Sequence, residues 1–136
     1  MTAIDPATYD QQLQEKVADL QARFQGLELP PLDTYPSAPL NYRMRAEFKI
    51  WQQDGRADYA MYRPGEHRKA YIIDAFPAGS STIEALMPPL LEQINQCDIL
   101  RQRLFSVEFL TTLSGEAVIT LLYHRPLDSV WEERAN

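Results

Sequence analysis

The clearest pattern in the chain is an alternation of apolar and polar residues from Asn41 to Trp51. A period of two with one apolar face predicts an antiparallel strand that is buried on one side only. The polar positions of this strand are Arg43, Arg45, Glu47 and Lys49. Side chains two residues apart on a strand are separated by roughly 7 Å, so a row of such cations could follow the phosphates of a nucleic acid. An ordinary solvated face is the alternative explanation.

A second pattern, over residues 104–125, predicts a β-hairpin. Two runs rich in β-branched and aromatic residues flank the dipeptide Ser114-Gly115, and glycine accepts the positive φ that tight hairpin turns require. A loop of two or four residues centred on this dipeptide pairs Phe105 with His124 and places both on one mostly aliphatic face. Because the other face is also apolar, we expect the hairpin to be a central or doubly covered pair of strands.

Helical spacing appears in two longer segments. The first begins at Asp5-Pro6, which is typical of a helix start, and ends near Gly26. Its apolar stripe predicts a helix packed on a sheet and consists of Tyr9, Leu13, Val17, Leu20 and Phe24. The second segment covers residues 81–96 and opens with a capping box. Its dipeptide Pro88-Pro89 predicts a kink or a break, because proline lacks an N–H and its ring clashes inside a helix.

The remaining segments complete the predicted fold. Residues 58–63 and 70–74 read as short strands joined by a turn, with His67 in an exposed loop beside that turn. Asp128 or Ser129 begins a last helix that stops after a few residues, which favours a fragment of a longer protein. Together these elements predict an α+β fold in which two main helices pack on an antiparallel sheet of about five strands.

Composition limits the class of protein. With 136 residues and 45% hydrophobic content, the chain has the size and composition of one globular domain. It has no apolar run near the roughly 20 residues that a membrane helix needs, and no signal-peptide pattern. Its one cysteine, Cys97, excludes an internal disulfide and fits the cytoplasm. Two histidines without clustered spacing predict no metal site.

Charge is unevenly distributed along the chain. The net charge is −6, which argues against a generic binder of polyanions. Residues 1–40 and 77–136 are both acidic, whereas residues 41–76 carry seven basic and five acidic side chains. The middle third is therefore the expected electrostatic surface if nucleic acid binds.

Motifs for catalysis are missing. None of the five glycines forms a Gly-x-Gly pair, so the chain has neither a dinucleotide fingerprint nor a P-loop. No nucleophile elbow appears, and Cys97 has no histidine positioned by sequence to activate it. The candidate functional residues are thus the basic strand face and the predicted pair of Phe105 and His124.

Three stretches resemble the N-terminal part of the bacterial tRNA (uracil-5-)-methyltransferases. They are NYRMRAEFKIW (residues 41–51), DAFPA (residues 74–78) and LFSVEFLTTLSGEAVITLLYH (residues 104–124). The run YDQQLQEKV in the first helix fits as well, so the resemblance covers almost the whole chain. The motifs together, in this order and spacing, are specific for this family, whereas any one of them alone is not. The dipeptide Pro88-Pro89 is less typical of the second helix in this family.

The resemblance implies that the parent enzyme transfers a methyl group from S-adenosylmethionine to C5 of a uridine in the tRNA T-loop. It also implies that residues 1–136 are a single α+β RNA-binding region without the C-terminal Rossmann-like methyltransferase domain. The catalytic residues and the cofactor loop lie in that later domain, so we expect no S-adenosylmethionine binding and no activity from this chain alone.

The resemblance also suggests how RNA is held. It implies that Phe105 and His124 insert among or stack on bases of the T-loop, and that Lys49 approaches the RNA. Arg43 and Arg45 are expected phosphate contacts.

A structural or protein-interaction domain, in which Phe105 and His124 form a buried cross-strand pair, is the alternative. Apolar surface facing the absent domain would favour self-association of this chain.

Overall fold

Five antiparallel strands form one sheet in the order β3-β2-β1-β4-β5. The computed structural model describes residues 5–66 and 68–136, so the loop prediction for His67 lies outside the described residues. The strands are β1 (Arg45–Gln53), β2 (Arg56–Tyr62), β3 (Ala70–Ile72), β4 (Leu104–Thr111) and β5 (Ala117–Tyr123). The helices are α1 (Tyr9–Arg23), α2 (Ser81–Gln96), α3 (Asp98–Arg101) and α4 (Ser129–Ala135). The predicted α+β fold is confirmed.

The hydrophobic core lies between α2 and one face of the sheet. Helix α2 contributes Ile83, Met87 and Ile94 to it. Phe48 of β1 is fully buried at its centre, and its ring makes edge-to-face contacts at 5.1 to 6.0 Å with the rings of Tyr59, Phe76 and Phe109. Such aromatic contacts add to the stabilisation from buried area alone. The sheet face away from α2 is called the open face below.

Helix α2 is continuous through Pro88-Pro89, so the predicted break is wrong. Both prolines lie on the exposed side of the helix, where water can solvate the carbonyls that lose their N–H donors. The cap also lies one residue earlier than predicted. The Ser80 side chain accepts a hydrogen bond from the Ile83 N–H at 3.2 Å.

The hairpin of β4 and β5 has a different register from the predicted one. Phe109 pairs with Ile119 rather than with Thr120, and the turn is a three-residue loop in which Gly115 has φ of 90°. Strand β5 is an edge strand, so the prediction of a central or doubly covered hairpin is wrong. Most of β5 is exposed, and β1 occupies the centre of the sheet instead.

A β-bulge at the start of β4 determines where Phe105 points. Leu104 pairs with Tyr123 and Ser106 pairs with Leu122, so β4 contains one extra residue between these two pairs. That residue is Phe105, and a bulge of this kind re-aims a side chain. Leu104 stays in the core, whereas Phe105 lies on the open face.

The N-terminal helix contributes less to the core than its pattern predicts. No residue of α1 is buried, and Leu20 and Phe24 are about two-fifths exposed. The apolar stripe of α1 is therefore only partly covered by the described residues. Strand β1 also begins four residues later than predicted, at Arg45, and Arg43 makes only an isolated bridge with Gly79.

Candidate nucleic-acid interface

The rings of Phe105 and His124 stack on the open face of the sheet. Their centroids are 3.9 Å apart and their planes differ by 21°. The two residues therefore come together as predicted, although the hairpin register differs and the bulge provides the contact. His124 is exposed and Phe105 is half-buried, so the outer face of the imidazole is open to solvent. The pair is not the buried one that the structural alternative requires.

Lys49 completes this cluster from the neighbouring strand. Its Nζ lies 3.8 Å from the centroid of the Phe105 ring, which is a close cation–π contact. Because His124 already stacks at 3.9 Å, the ammonium group must lie on the opposite face of the phenyl ring. Glu47 lies 3.7 Å from the same ammonium group, but both side chains keep at least a third of their surface exposed, so water screens this ion pair. Lys49, Phe105 and His124 are called the aromatic–lysine cluster below.

Long-range hydrogen bonds to backbone carbonyls hold the cluster in place. The Gln52 amide donates to the carbonyls of Arg101 and Leu104 at 3.0 and 2.9 Å, which anchors the chain just before Phe105. The backbone N–H of His124 donates to the Arg103 carbonyl at 3.0 Å. These groups are far apart in sequence, so no local pattern identifies Gln52 as a positioning residue.

Arg125 has the same kind of positioning role on the other strand. Its guanidinium donates to the carbonyls of Gln102 and Ile99 at 2.9 and 2.7 Å. The segment that follows β5 is thereby fixed to α3, next to His124. Arg125 is not among the predicted site residues, because an arginine that binds backbone carbonyls has no sequence signature.

The other two predicted site residues do not join the cluster. Arg45 donates to Glu108 at 2.5 Å across the open face. The hydrogen bond and charge of Arg45 hold the pKa of Glu108 below its usual range, and Glu108 raises the pKa of Arg45. The Arg43 guanidinium lies 5.9 Å from the ring centroid of Phe76, a core residue on the α2 side. Of the predicted row of cations, Arg45 and Lys49 share the open face of β1, whereas Arg43 lies before the strand.

Metal-binding geometry does not accompany the cluster in the described part of the chain. Among residues 5–66 and 68–136, no three His, Cys, Asp or Glu side chains are placed to hold a metal ion. None of the helices in the described part of the chain has the length and apolarity needed to cross a membrane.

An exposed imidazole on an aromatic ring beside a cation resembles the surfaces on which proteins stack unpaired bases and hold phosphates.

Comparison with known proteins identifies the family. Residues 8–136 match the family model described as tRNA (uracil-5-)-methyltransferase. The chain therefore belongs to the tRNA (uracil-5-)-methyltransferase family, and the resemblance seen in the sequence is confirmed.

Curated relatives agree with this assignment. The chain is 49% identical over 131 residues to the tRNA/tmRNA (uracil-C(5))-methyltransferase of Azoarcus sp. strain BH72. It is 48% identical over 133 residues to the protein of the same name from Saccharophagus degradans. These alignments cover 96% and 97% of this chain but only 36% of each relative. The chain thus spans little more than a third of the length of these relatives.

Proposed function

We propose that this chain is the RNA-recognition region of an S-adenosylmethionine-dependent tRNA (uracil-5-)-methyltransferase. It binds the T-arm of tRNA, and the whole enzyme methylates C5 of the T-loop uridine. Its relatives bear the names of tRNA and tmRNA methyltransferases. The observation that carries the proposal is the exposed His124 ring stacked on Phe105, with Lys49 beside it.

The geometry suggests which ring receives a base. Both faces of Phe105 are occupied, one by His124 and the other by the Lys49 ammonium group. An unpaired base of the T-loop therefore stacks on the outer face of His124, and Phe105 supports the imidazole from behind. The Lys49 ammonium group can bind an RNA phosphate in place of its weak ion pair with Glu47. Arg45 contributes less, because Glu108 already binds it.

Methyl transfer needs groups beyond this chain. S-adenosylmethionine would supply the methyl group, and nucleotide-like cofactors are commonly held where glycines let the backbone approach closely. A Cβ built on Gly79 meets Phe76 and Ile83 at 3.0 to 3.2 Å, so this glycine serves internal packing. The other four glycines adopt positive φ in open space. Because these four glycines belong to four separate turns, they do not build one shared cofactor cradle, and we expect the chain alone to be inactive.

A second role follows from exposed apolar side chains on the open face. Leu110, Val118 and Leu122 are 46%, 60% and 49% exposed, and they lie on the last two strands of the sheet. In the whole enzyme this strip would contact the methyltransferase domain. In this chain it favours self-association, as expected for exposed apolar patches. Sedimentation velocity across a concentration series tests this, and a strictly monomeric chain at high concentration would contradict it.

The main test is fluorescence anisotropy of a labelled T-arm hairpin RNA titrated with this chain at low salt. A hairpin with the same stem and a scrambled loop is the matched control. Tighter binding of the T-arm hairpin supports recognition by this region. Equal affinity for the two loops would contradict it and would favour a structural or protein-interaction role.

A further inference from the structure

The excess of positive charge in the middle third of the chain lies in the β2–β3 loop rather than on strand β1. Arg45 pairs with Glu108 and Arg56 pairs with Asp58. By contrast, Arg63, Arg68 and Lys69 have no carboxylate oxygen within 4 Å among the residues that the structure describes. The loop thus holds three of the four cations within the described part of residues 41–76 that form no ion pair.

These cations line one surface groove. Its volume is about 550 Å³, and the described residues that line it are Arg63, Gly65, Glu66, Arg68, Lys69, Ala70 and Tyr71. Glu66 is the one acidic side chain among them, so the lining carries a net positive charge. Residues 63–66 form a tight turn closed by the Glu66 N–H and the Arg63 carbonyl at 2.9 Å, with Gly65 at φ of 81°. This set of residues is called the basic groove.

The basic groove suits phosphates better than bases. The Arg63 guanidinium lies 6.0 Å from the centroid of the Tyr71 ring, and the other contacts of Tyr71 are with the core. Tyr71, the one aromatic residue among the described lining residues, thus already contacts Arg63 and the core, whereas Arg68 and Lys69 are exposed. Exposed cations without a stacking platform are typical of contacts to the nucleic-acid backbone.

The basic groove and the aromatic–lysine cluster lie on different faces of the sheet. Tyr71 packs against the core on the α2 side, whereas Lys49 and Phe105 lie on the open face. Lys49 pairs with Ala60, three residues before Arg63, and Phe105 lies one strand further away. Strand spacings of about 4.8 Å and rises of about 3.3 Å per residue then give a separation of roughly 15–20 Å. The groove and the cluster therefore face in different directions, and an RNA loop stacked on His124 does not lie over the groove.

We infer that the basic groove binds the sugar–phosphate backbone of tRNA at a segment outside the T-arm. This inference rests on the proposed function, because it assumes that the T-arm occupies the aromatic–lysine cluster. The groove then adds affinity for complete tRNA without reading its sequence, since backbone contacts carry no direct sequence information.

The test compares two RNAs and two charge variants of this chain. The groove variant is Arg68→Gln/Lys69→Gln, and the control is Lys16→Gln/Arg134→Gln, which removes the same charge from exposed positions on α1 and α4. With complete tRNA, the groove variant binds several-fold more weakly, and its slope of log affinity against log salt is smaller in magnitude by about 1.4 to 1.8. With the T-arm hairpin, its affinity stays within about twofold of the parent chain.

Three results would overturn the inference. They are an equal loss on both RNAs, an equal loss in the control variant, or no loss on complete tRNA. Groove-dependent binding to phosphatidylserine vesicles without an effect on tRNA would assign the groove to membranes instead. Failure of the proposed function looks different, because the parent chain would then not distinguish the T-arm from the scrambled loop.

Discussion

His124→Ala should weaken binding of the T-arm while it leaves the fold nearly intact. The His124 ring is exposed, and its main contact is the 3.9 Å stack on Phe105. Stacking of one base on an aromatic side chain contributes about 1 to 3 kcal/mol. At about 1.4 kcal/mol per tenfold change, this predicts a roughly 5- to 150-fold increase in Kd.

The cost to stability should be smaller. Loss of one aromatic pair removes about 0.5 to 1.5 kcal/mol, which is a minor part of the roughly 5 to 15 kcal/mol that stabilises a typical domain. We therefore expect Tm to fall by only a few degrees. Phe105→Ala should lower Tm further, because Phe105 is half-buried and also contacts Lys49.

Anisotropy titrations with the T-arm hairpin, together with thermal unfolding followed by circular dichroism, separate the two effects. Leu122→Ala is the matched control, because Leu122 is an exposed residue on the open face two positions before His124. His124→Phe should retain most of the affinity, because it keeps an aromatic face. The reasoning is refuted if His124→Ala leaves Kd within twofold of the parent chain, or if Leu122→Ala weakens binding equally.

Three further predictions concern neighbouring charges and the core. Lys49→Met should weaken T-arm binding and reduce the salt slope by about 0.7 to 0.9, with little change in Tm. Glu108→Gln should strengthen RNA binding, because it frees Arg45 and removes a negative charge from the open face. Tyr59→Phe should cost about 1 kcal/mol at neutral pH, because the buried hydroxyl donates to the Met87 carbonyl at 2.9 Å.

Two of these variants should also change the pH dependence of stability. Because Arg45 lowers the pKa of Glu108, this pair stabilises the fold above the ordinary carboxyl pKa of about 4.3, and its contribution is lost as pH falls through the lower folded pKa. The Tm difference between the parent and Glu108→Gln should therefore vanish in acid. Burial raises the pKa of Tyr59, so its contribution is complete below about pH 10 and declines above it.

The outcomes that contradict these predictions are specific. An unchanged salt slope for Lys49→Met would mean that Lys49 does not meet a phosphate. Unchanged or weaker RNA binding by Glu108→Gln would mean that Arg45 and the charge of Glu108 do not influence the RNA. A Tyr59→Phe variant whose Tm falls as steeply as that of the parent in alkali would assign the alkaline loss to another group.

The sequence predicted the elements of the fold better than their register. Period-two and helical spacings located the five strands and the helices, because burial of one face of an element makes apolar residues recur at the period of that element. Ser114-Gly115 correctly located the turn but did not determine its length. Gly115 serves a three-residue loop as readily as a shorter one, and the difference of one residue exchanges the faces of β5.

The incorrect predictions about the position of β5 and the continuity of α2 concern features that long-range packing determines. The pattern of β5 is apolar on both faces, which is usual for a covered strand, yet β5 lies at the edge of the sheet. Pro88-Pro89 predicted a kink or a break, but α2 has no break, because Ile83, Met87 and Ile94 are buried on its opposite side. The stack of Phe105 on His124 was predicted through an incorrect register, and only the bulge explains it.

The bulge at Phe105 implies a difference between two kinds of sequence change in β4. In a regular strand, Phe105 and Phe109 would lie on the same face, because they are four residues apart. The extra residue of the bulge instead places Phe105 on the open face while Phe109 stays in the core. A conservative replacement at either position changes one contact. Deleting a single residue between them would send a core side chain into water or Phe105 into the core. Homologues that retain this arrangement should therefore vary in residue type along β4 but keep its length fixed.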